Sequence, residues 1–213
     1  MSVSGVISRH RAAGRGFVAD GVRSFVLDSG AGDAVVMLHG VPSSSFLYRK
    51  VIDEVADRGM RGIAFDFPGM GLAERPSDYD YTWTGLGRFS AAAVDALGLE
   101  KFHLVVHDVG GPVGFELAAA MPERILSLTI LNTLLHVEDF KRPWSMEPFG
   151  HKVVGELWLA SLNRWSFLPM MAYFGIEDRK AVAREDLMAY VPLLKGDDHG
   201  RAFLKIMRGF ERT

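Results

Sequence analysis

Short runs of β-branched and apolar residues alternate with longer stretches in which apolar positions recur every three or four residues. Residues 16–20 and 23–27 read as two strands joined by a tight turn at Asp20-Gly21, a pair that accepts the positive φ of a hairpin turn. The unbroken run Ala34-Val35-Val36-Met37-Leu38 fits a strand covered on both faces. After the loop His39-Gly40-Val41-Pro42, Ser44 and Ser45 suit helix caps, and Leu47, Val51 and Val55 mark a helix closed by Gly59.

The same alternation continues downstream. Residues 62–65, 102–106 and 126–131 are predicted strands. Between them, Leu86, Phe89, Ala93 and Leu97 define one helix, and Gly114, Leu117, Ala118 and Met121 another, which Pro122 ends. Strands that alternate with helices imply parallel strands with right-handed crossovers, hence a three-layer α/β core with a mostly parallel sheet. From about residue 134 no strand pattern is left. Leu187, Tyr190, Val191 and Leu194 form one helical face, and Phe203, Ile206, Met207 and Phe210 another. The expected organisation is an α/β core over residues 1–133 and a helical segment over 134–213.

Composition narrows the function. With 24 Lys plus Arg against 26 Asp plus Glu, the chain has no basic excess for nucleic-acid phosphates. It has no cysteine, so disulfides and thiolate-held metals are excluded, and no metal-ligand or cofactor motif occurs. No apolar run is long enough to span a bilayer, and the first residues lack a signal-peptide pattern. The default expectation is a cytoplasmic protein that binds neither membrane nor nucleic acid.

The chemistry concentrates at Val105-Val106-His107-Asp108-Val109-Gly110-Gly111. An apolar strand runs into a glycine-bearing turn and then a helix, with one reactive side chain at the apex, the context of a nucleophile elbow. The usual elbow presents Ser, whose hydroxyl needs a base; a carboxylate with an ordinary pKa of about 3.9 is already ionised at neutral pH. Such a carboxylate can displace a leaving group from saturated carbon and form an alkyl ester. Asp also suits a helix N-cap, the simpler role for this residue. The backbone N–H groups of Val41 and Val109 are candidates for an oxyanion hole, and His39 beside them is a candidate for substrate binding.

Three stretches carry a resemblance: residues 39–49 (His-Gly-Val-Pro-Ser-Ser-Ser-Phe-Leu-Tyr-Arg), residues 65–73 (Phe-Asp-Phe-Pro-Gly-Met-Gly-Leu-Ala), and His107 to Gly111 followed by Pro122-Glu123-Arg124-Ile125 and Leu131-Asn132. Together they resemble the epoxide hydrolase and haloalkane dehalogenase branch of the α/β-hydrolase superfamily. The resemblance implies Asp108 as nucleophile, a helical cap over residues 134–213, a small hydrophobic substrate and no cofactor. The dehalogenases it resembles carry Trp after the nucleophile and many carry Asn after His-Gly. Here both positions are Val (Val109 and Val41), whose side chains donate no hydrogen bond to a halide. That favours epoxide chemistry over dehalogenation. Epoxide hydrolases protonate the leaving oxygen with cap tyrosines, for which Tyr173 and Tyr190 are available, ordinary packing being the alternative role. Trp144, near the start of the helical segment, is a candidate for the substrate wall.

The resemblance also implies a catalytic acid and a catalytic His after two later core strands. None of the seven histidines follows a late strand, and two more strand–helix units need roughly 60 residues. The chain therefore reads as an incomplete core, with residues 126–131 as an edge strand open to self-association. Two further readings stand beside the enzyme: a non-catalytic ligand-binding member, and a fragment without activity.

Overall fold

A computed structural model describes residues 2–136, 140–163, 165–178 and 180–211. Six strands form one sheet in the order β1-β2-β4-β3-β5-β6: β1 (Arg15–Ala19), β2 (Val22–Gly30), β3 (Ala34–Leu38), β4 (Arg61–Phe65), β5 (Phe102–His107) and β6 (Ile125–Leu131). β2 pairs antiparallel with both β1 and β4; the β4–β3, β3–β5 and β5–β6 pairs are parallel. The β1–β2 hairpin closes through Asp20 (φ 47°) and Gly21 (φ 72°), the paired positive φ values expected of Asp-Gly.

The helices cover both faces of the sheet. α3 (Trp83–Ala96) and α4 (Gly110–Ala120) lie together over one face, where Val36, Leu38, Phe65, Leu104 and Val106 are buried. α2 (Val51–Ala56) covers the other, over Leu27, Val35, Met37 and Ala64. The fold class is therefore the one the alternation predicts.

Two elements differ from the sequence reading. The stretch after Ser44 is not one helix: Ser44 accepts the Phe46 N–H and caps a 3-10 turn, Ser45–Tyr48, before α2 begins. The turn ends because Arg49 is drawn back, its guanidinium donating to the Phe46 carbonyl and lying 3.9 Å over the Phe46 ring. An N-terminal helix, α1 (Val3–Ala12), is present although its sequence has no strong apolar stripe. Ser2 caps it, and it is anchored by His10, which is buried between Phe25 and Phe46. Burial, helped by the charge of Arg49, lowers the His10 pKa to about 4.

After β6 come helices α5 (Val154–Ser161), α6 (Phe167–Phe174), α7 (Arg184–Lys195) and α8 (Arg201–Arg208), with no strand among the described residues. Their apolar faces join the larger core cluster: Leu159, Phe167, Leu194 and Phe203, with Phe149 of the preceding 3-10 turn, belong to the same buried set as Leu38 and Val106. No helix among the described residues is long and apolar enough to cross a membrane.

Arg75 pins the two segments together. Its side chain is 4% exposed, and its guanidinium donates to the carbonyls of Gly69 and Gly71 in the core and of Leu193 and Leu194 at the end of α7, while pairing with Asp198. Removing it takes a donor from four carbonyls and the charge partner from Asp198, which keeps the Gly200 and Ala202 N–H groups. Arg75→Leu is expected to lower unfolding stability by about 3 kcal/mol, read as a shift in the urea midpoint; an unchanged midpoint would show that the pin contributes nothing.

Candidate functional site

The carboxyl ends of the parallel strands β3, β5 and β6 lie side by side, and the chain leaves each of them at the same edge of the sheet. Ligand sites of open parallel sheets gather at that edge. Here it holds Val41 after β3, Asp108 after β5, and Asn132 and Thr133 after β6.

Asp108 occupies a sharp bend, with φ +54°. A non-glycine residue in that region is strained and persists only where its surroundings hold it. They do so closely. A Cβ on Gly40 would overlap the Asp108 carboxylate, and one on Gly111 would overlap the Thr133 hydroxyl. The same hydroxyl donates to the Asp108 carbonyl at 2.5 Å, and the Gly111 N–H donates to it at 2.9 Å.

The Asp108 side chain does not serve as the helix cap that its residue type allowed. Val109 stands at the N-cap of α4, which has no side-chain cap. The carboxylate instead reaches across to the β3 loop, where Oδ1 accepts the Val41 N–H at 2.8 Å, and it also accepts from the Val109 N–H. Both N–H groups are backbone donors, one from the loop after β3 and one from the start of α4. Burial pushes the Asp108 pKa above the ordinary carboxylate value, opposed by those two N–H groups and by His107 nearby.

A cavity of about 360 Å³ opens over this carboxylate. Its wall is mainly apolar, with Val41, Val109, Leu134, Phe140, Met146, Met207 and Phe210 among the lining residues; Asp108, Asn132, Thr133 and Arg142 supply its polar side chains. None of the lining residues is a histidine, and no group of three or more His, Cys, Asp or Glu able to hold a metal occurs among the described residues.

Other expected site residues fall elsewhere. His39 is fully buried and faces no cavity: Nδ1 donates to the Gly40 carbonyl and Nε2 accepts the Phe67 N–H, so the ring ties two loops together. Burial lowers its pKa to about 4, which keeps it neutral in that role. Tyr190 is buried in a T-shaped contact with Phe46 and hydrogen-bonds with Arg49 and Ser43, away from the cavity lining. Trp144 is 67% exposed and lines no part of the cavity. The side chain of Tyr173 lies outside the described residues.

Asp66 is a second buried acid near the same edge of the sheet, in the first position after β4. Its oxygens accept the Ser45 and Leu72 N–H groups at 2.7 Å each, fixing the loops after β3 and β4 beside the site. Burial raises its pKa to about 6 against the pull of these donors. It is fully enclosed and faces no ligand space.

Residues 33–168 match the model of the alpha/beta hydrolase fold family. The chain belongs to that family. It is 34% identical over 177 residues to the cis-3-alkyl-4-alkyloxetan-2-one decarboxylase of Shewanella oneidensis, covering 81% of this chain and 54% of that protein. It is 32% identical over 167 residues to haloalkane dehalogenase 2 of Mycobacterium tuberculosis, covering 76% and 55%. An epoxide hydrolase structure from Vigna radiata superposes with a TM-score of 0.75 at 24% identity, covering 92% of this chain and 70% of that one. The chain spans about half the length of the curated relatives it matches.

The raised pKa of Asp108 has a stability consequence. A carboxyl whose folded pKa lies above its unfolded value contributes fully below the unfolded pKa, and that contribution is lost as pH rises through the folded one. Asp108→Asn keeps an oxygen for the Val41 N–H and carries no charge. It is therefore expected to raise the melting temperature at pH 7 and to leave it unchanged near pH 3. A lower melting temperature at pH 7 would mean that the ionised carboxylate stabilises the fold.

Proposed function

We propose that the site forms an alkyl ester between Asp108 and an electrophilic carbon of a small hydrophobic molecule, in the manner of an epoxide hydrolase. One observation carries this reading: a carboxylate at the floor of an apolar cavity, aligned by backbone N–H groups from two strand ends. A carboxylate oxygen donates its electron pair to the carbon while the carbon–leaving-group bond breaks and its pair departs with the leaving atom. The ester carbonyl then sits on the Val41 and Val109 N–H groups, which are placed to hold the oxyanion formed when water attacks it. Residues 134–213 act as the cap, contributing Phe140, Met146, Met207 and Phe210 to the wall.

The leaving group divides two readings. An epoxide oxygen departs as an alkoxide and needs a proton, which the described lining residues are poorly suited to give at neutral pH. A halide, or the carboxylate released when a strained cyclic ester opens at carbon, departs as a stable anion. This second class, which includes the oxetan-2-one ring named for the Shewanella relative, stands as a second reading beside the epoxide one.

The chain should be incubated with styrene oxide, 1-bromobutane and β-butyrolactone, then weighed intact. With no histidine among the described residues of the cavity wall to activate water, the adduct is expected to persist rather than turn over. It should be absent from Asp108→Ala. Its rate should fall as pH drops through a midpoint above the ordinary Asp value of about 3.9, because only the ionised carboxyl attacks. No adduct from any of the three, or an equal one on Asp108→Ala, would leave a ligand-binding member without covalent chemistry.

Self-association through β6 is a separate proposal. This strand ends the sheet, and Leu126, Leu128 and Ile130 on one of its faces are between 40% and 47% exposed. The same strand of a second copy offers a backbone edge of equal length and an apolar face to match. Light scattering coupled to gel filtration is expected to give a dimer mass, and a monomer mass after Leu128→Lys with Ile130→Lys. A wild-type monomer at high micromolar concentration would end this proposal.

A further inference from the structure

Helix α1 docks on the core through a side chain that can change its charge. His10 is 4% exposed and lies between Phe25 of β2 and Phe46 of the turn after β3, with ring centroids 5.0 and 5.2 Å away. Its Nε2 meets the Ser45 hydroxyl at 3.3 Å, and that hydroxyl in turn donates to the Asp66 carboxylate. A hydroxyl has one proton, so Ser45 accepts from Nε2–H. Nδ1 therefore carries the lone pair, and it is buried with no hydrogen-bond partner.

We propose that α1 is an acid-released clasp, held while His10 is neutral and freed when Nδ1 takes a proton. In the docked helix that proton would make a buried donor without an acceptor. The ring would also become a cation near Arg49 and Arg11. The Phe46 ring that it meets edge-on already receives the Arg49 guanidinium, 3.9 Å from its centre. The charged groups around the cavity that His10 lines do not neutralise it. Asp28 on β2 takes Arg15 and Arg61, and Asp186 on α7 takes Arg49; Asp53 on α2 is exposed, and Arg9 and Lys50 are cations. Asp66 stands beyond Ser45 and itself turns neutral below about pH 6.

Burial, then Arg49 and Arg11, lower the pKa of docked His10 to about 4, whereas an exposed histidine titrates near 6.5. A histidine depressed in this way supports docking fully above its undocked pKa, and that support is lost as pH falls through the docked one. Docking weakens about tenfold for each pH unit between about 6.5 and about 4. Release takes from Ser45 its Nε2 partner, and Ser45 with Asp66 fixes the loops after β3 and β4.

The chain has no cysteine, so a single introduced thiol reports on the clasp. Val6, one turn before His10, is buried and is changed in Val6→Cys; Ser8→Cys, at an exposed position of α1, is the reference. Both are labelled with a dipyridyl disulfide, which reacts in acid. The ratio of the two rates is followed between neutral and acid pH, beside the near-ultraviolet circular dichroism of the core. It is expected to rise about tenfold per pH unit below about 6.5 with the dichroism unchanged. In His10→Gln and His10→Phe, which do not titrate, it should stay level. A level ratio in the chain with His10, a rise of equal size in either His10 variant, or a rise seen only together with loss of the dichroism would each overturn the proposal.

Discussion

A left-handed backbone at residue 108 is the constraint around which the site is arranged. At φ +54° an aspartate costs on the order of 1–3 kcal/mol, and it stays there because neighbouring elements leave it no alternative. Gly40 lets the β3 loop approach until its Val41 N–H reaches the carboxylate. Gly111 lets Thr133 reach over from the end of β6 and hold the Asp108 carbonyl. Three strand ends thus converge on one residue. The parallel β3–β5–β6 pairing matters to function for that reason: it sets the spacing from which these loops depart.

The cavity is a product of both segments of the chain. Its floor comes from the sheet edge and its far wall from Phe140, Arg142, Pro143, Met146, Met207 and Phe210. That wall is fixed to the core by polar contacts as well as by apolar packing. Arg75 gathers carbonyls from the core and from α7, and Arg49 pairs with Asp186 at 2.8 Å while resting on Phe46. A shift of the helical segment would open the pocket and strand these buried groups together.

The sheet was legible because its strands are short, β-branched and bounded by turn residues, and the hairpin because Asp-Gly permits only a few geometries. The elbow was legible because strand, bend and double glycine fall in one heptapeptide. Asn132 and Thr133 could have been found by the rule that sites gather at the carboxyl ends of parallel strands. His39, Tyr190 and Trp144 were misplaced for a common reason. Local sequence says that a residue is near a loop or on a buried face, whereas the direction of its side chain depends on tertiary neighbours. For His39 those neighbours are the Gly40 carbonyl and the Phe67 N–H; for Tyr190 they are Phe46 and Arg49. Helix α1 carries a weak apolar stripe, and its anchor, His10, is polar by type. Only the packing between Phe25 and Phe46 reveals that the histidine is part of the core.

Burial acts on Asp108 in two directions at once. It penalises the charge, which raises the pKa and leaves the carboxylate less well solvated than in water, so that in the proposed alkylation less solvent must be displaced as it approaches carbon. The Val41 and Val109 N–H groups limit that penalty by replacing part of the lost hydration with fixed dipoles. These dipoles are preorganised by the sheet and need not reorient as charge moves from the carboxylate to the departing group. The charge that leaves must still be received somewhere. Besides Asp108, the polar side chains on the cavity wall are Asn132, Thr133 and Arg142, set among valine, leucine, proline, methionine and phenylalanine. The chemistry open to this cavity is therefore set as much by what the far wall can accept as by what the elbow can attack.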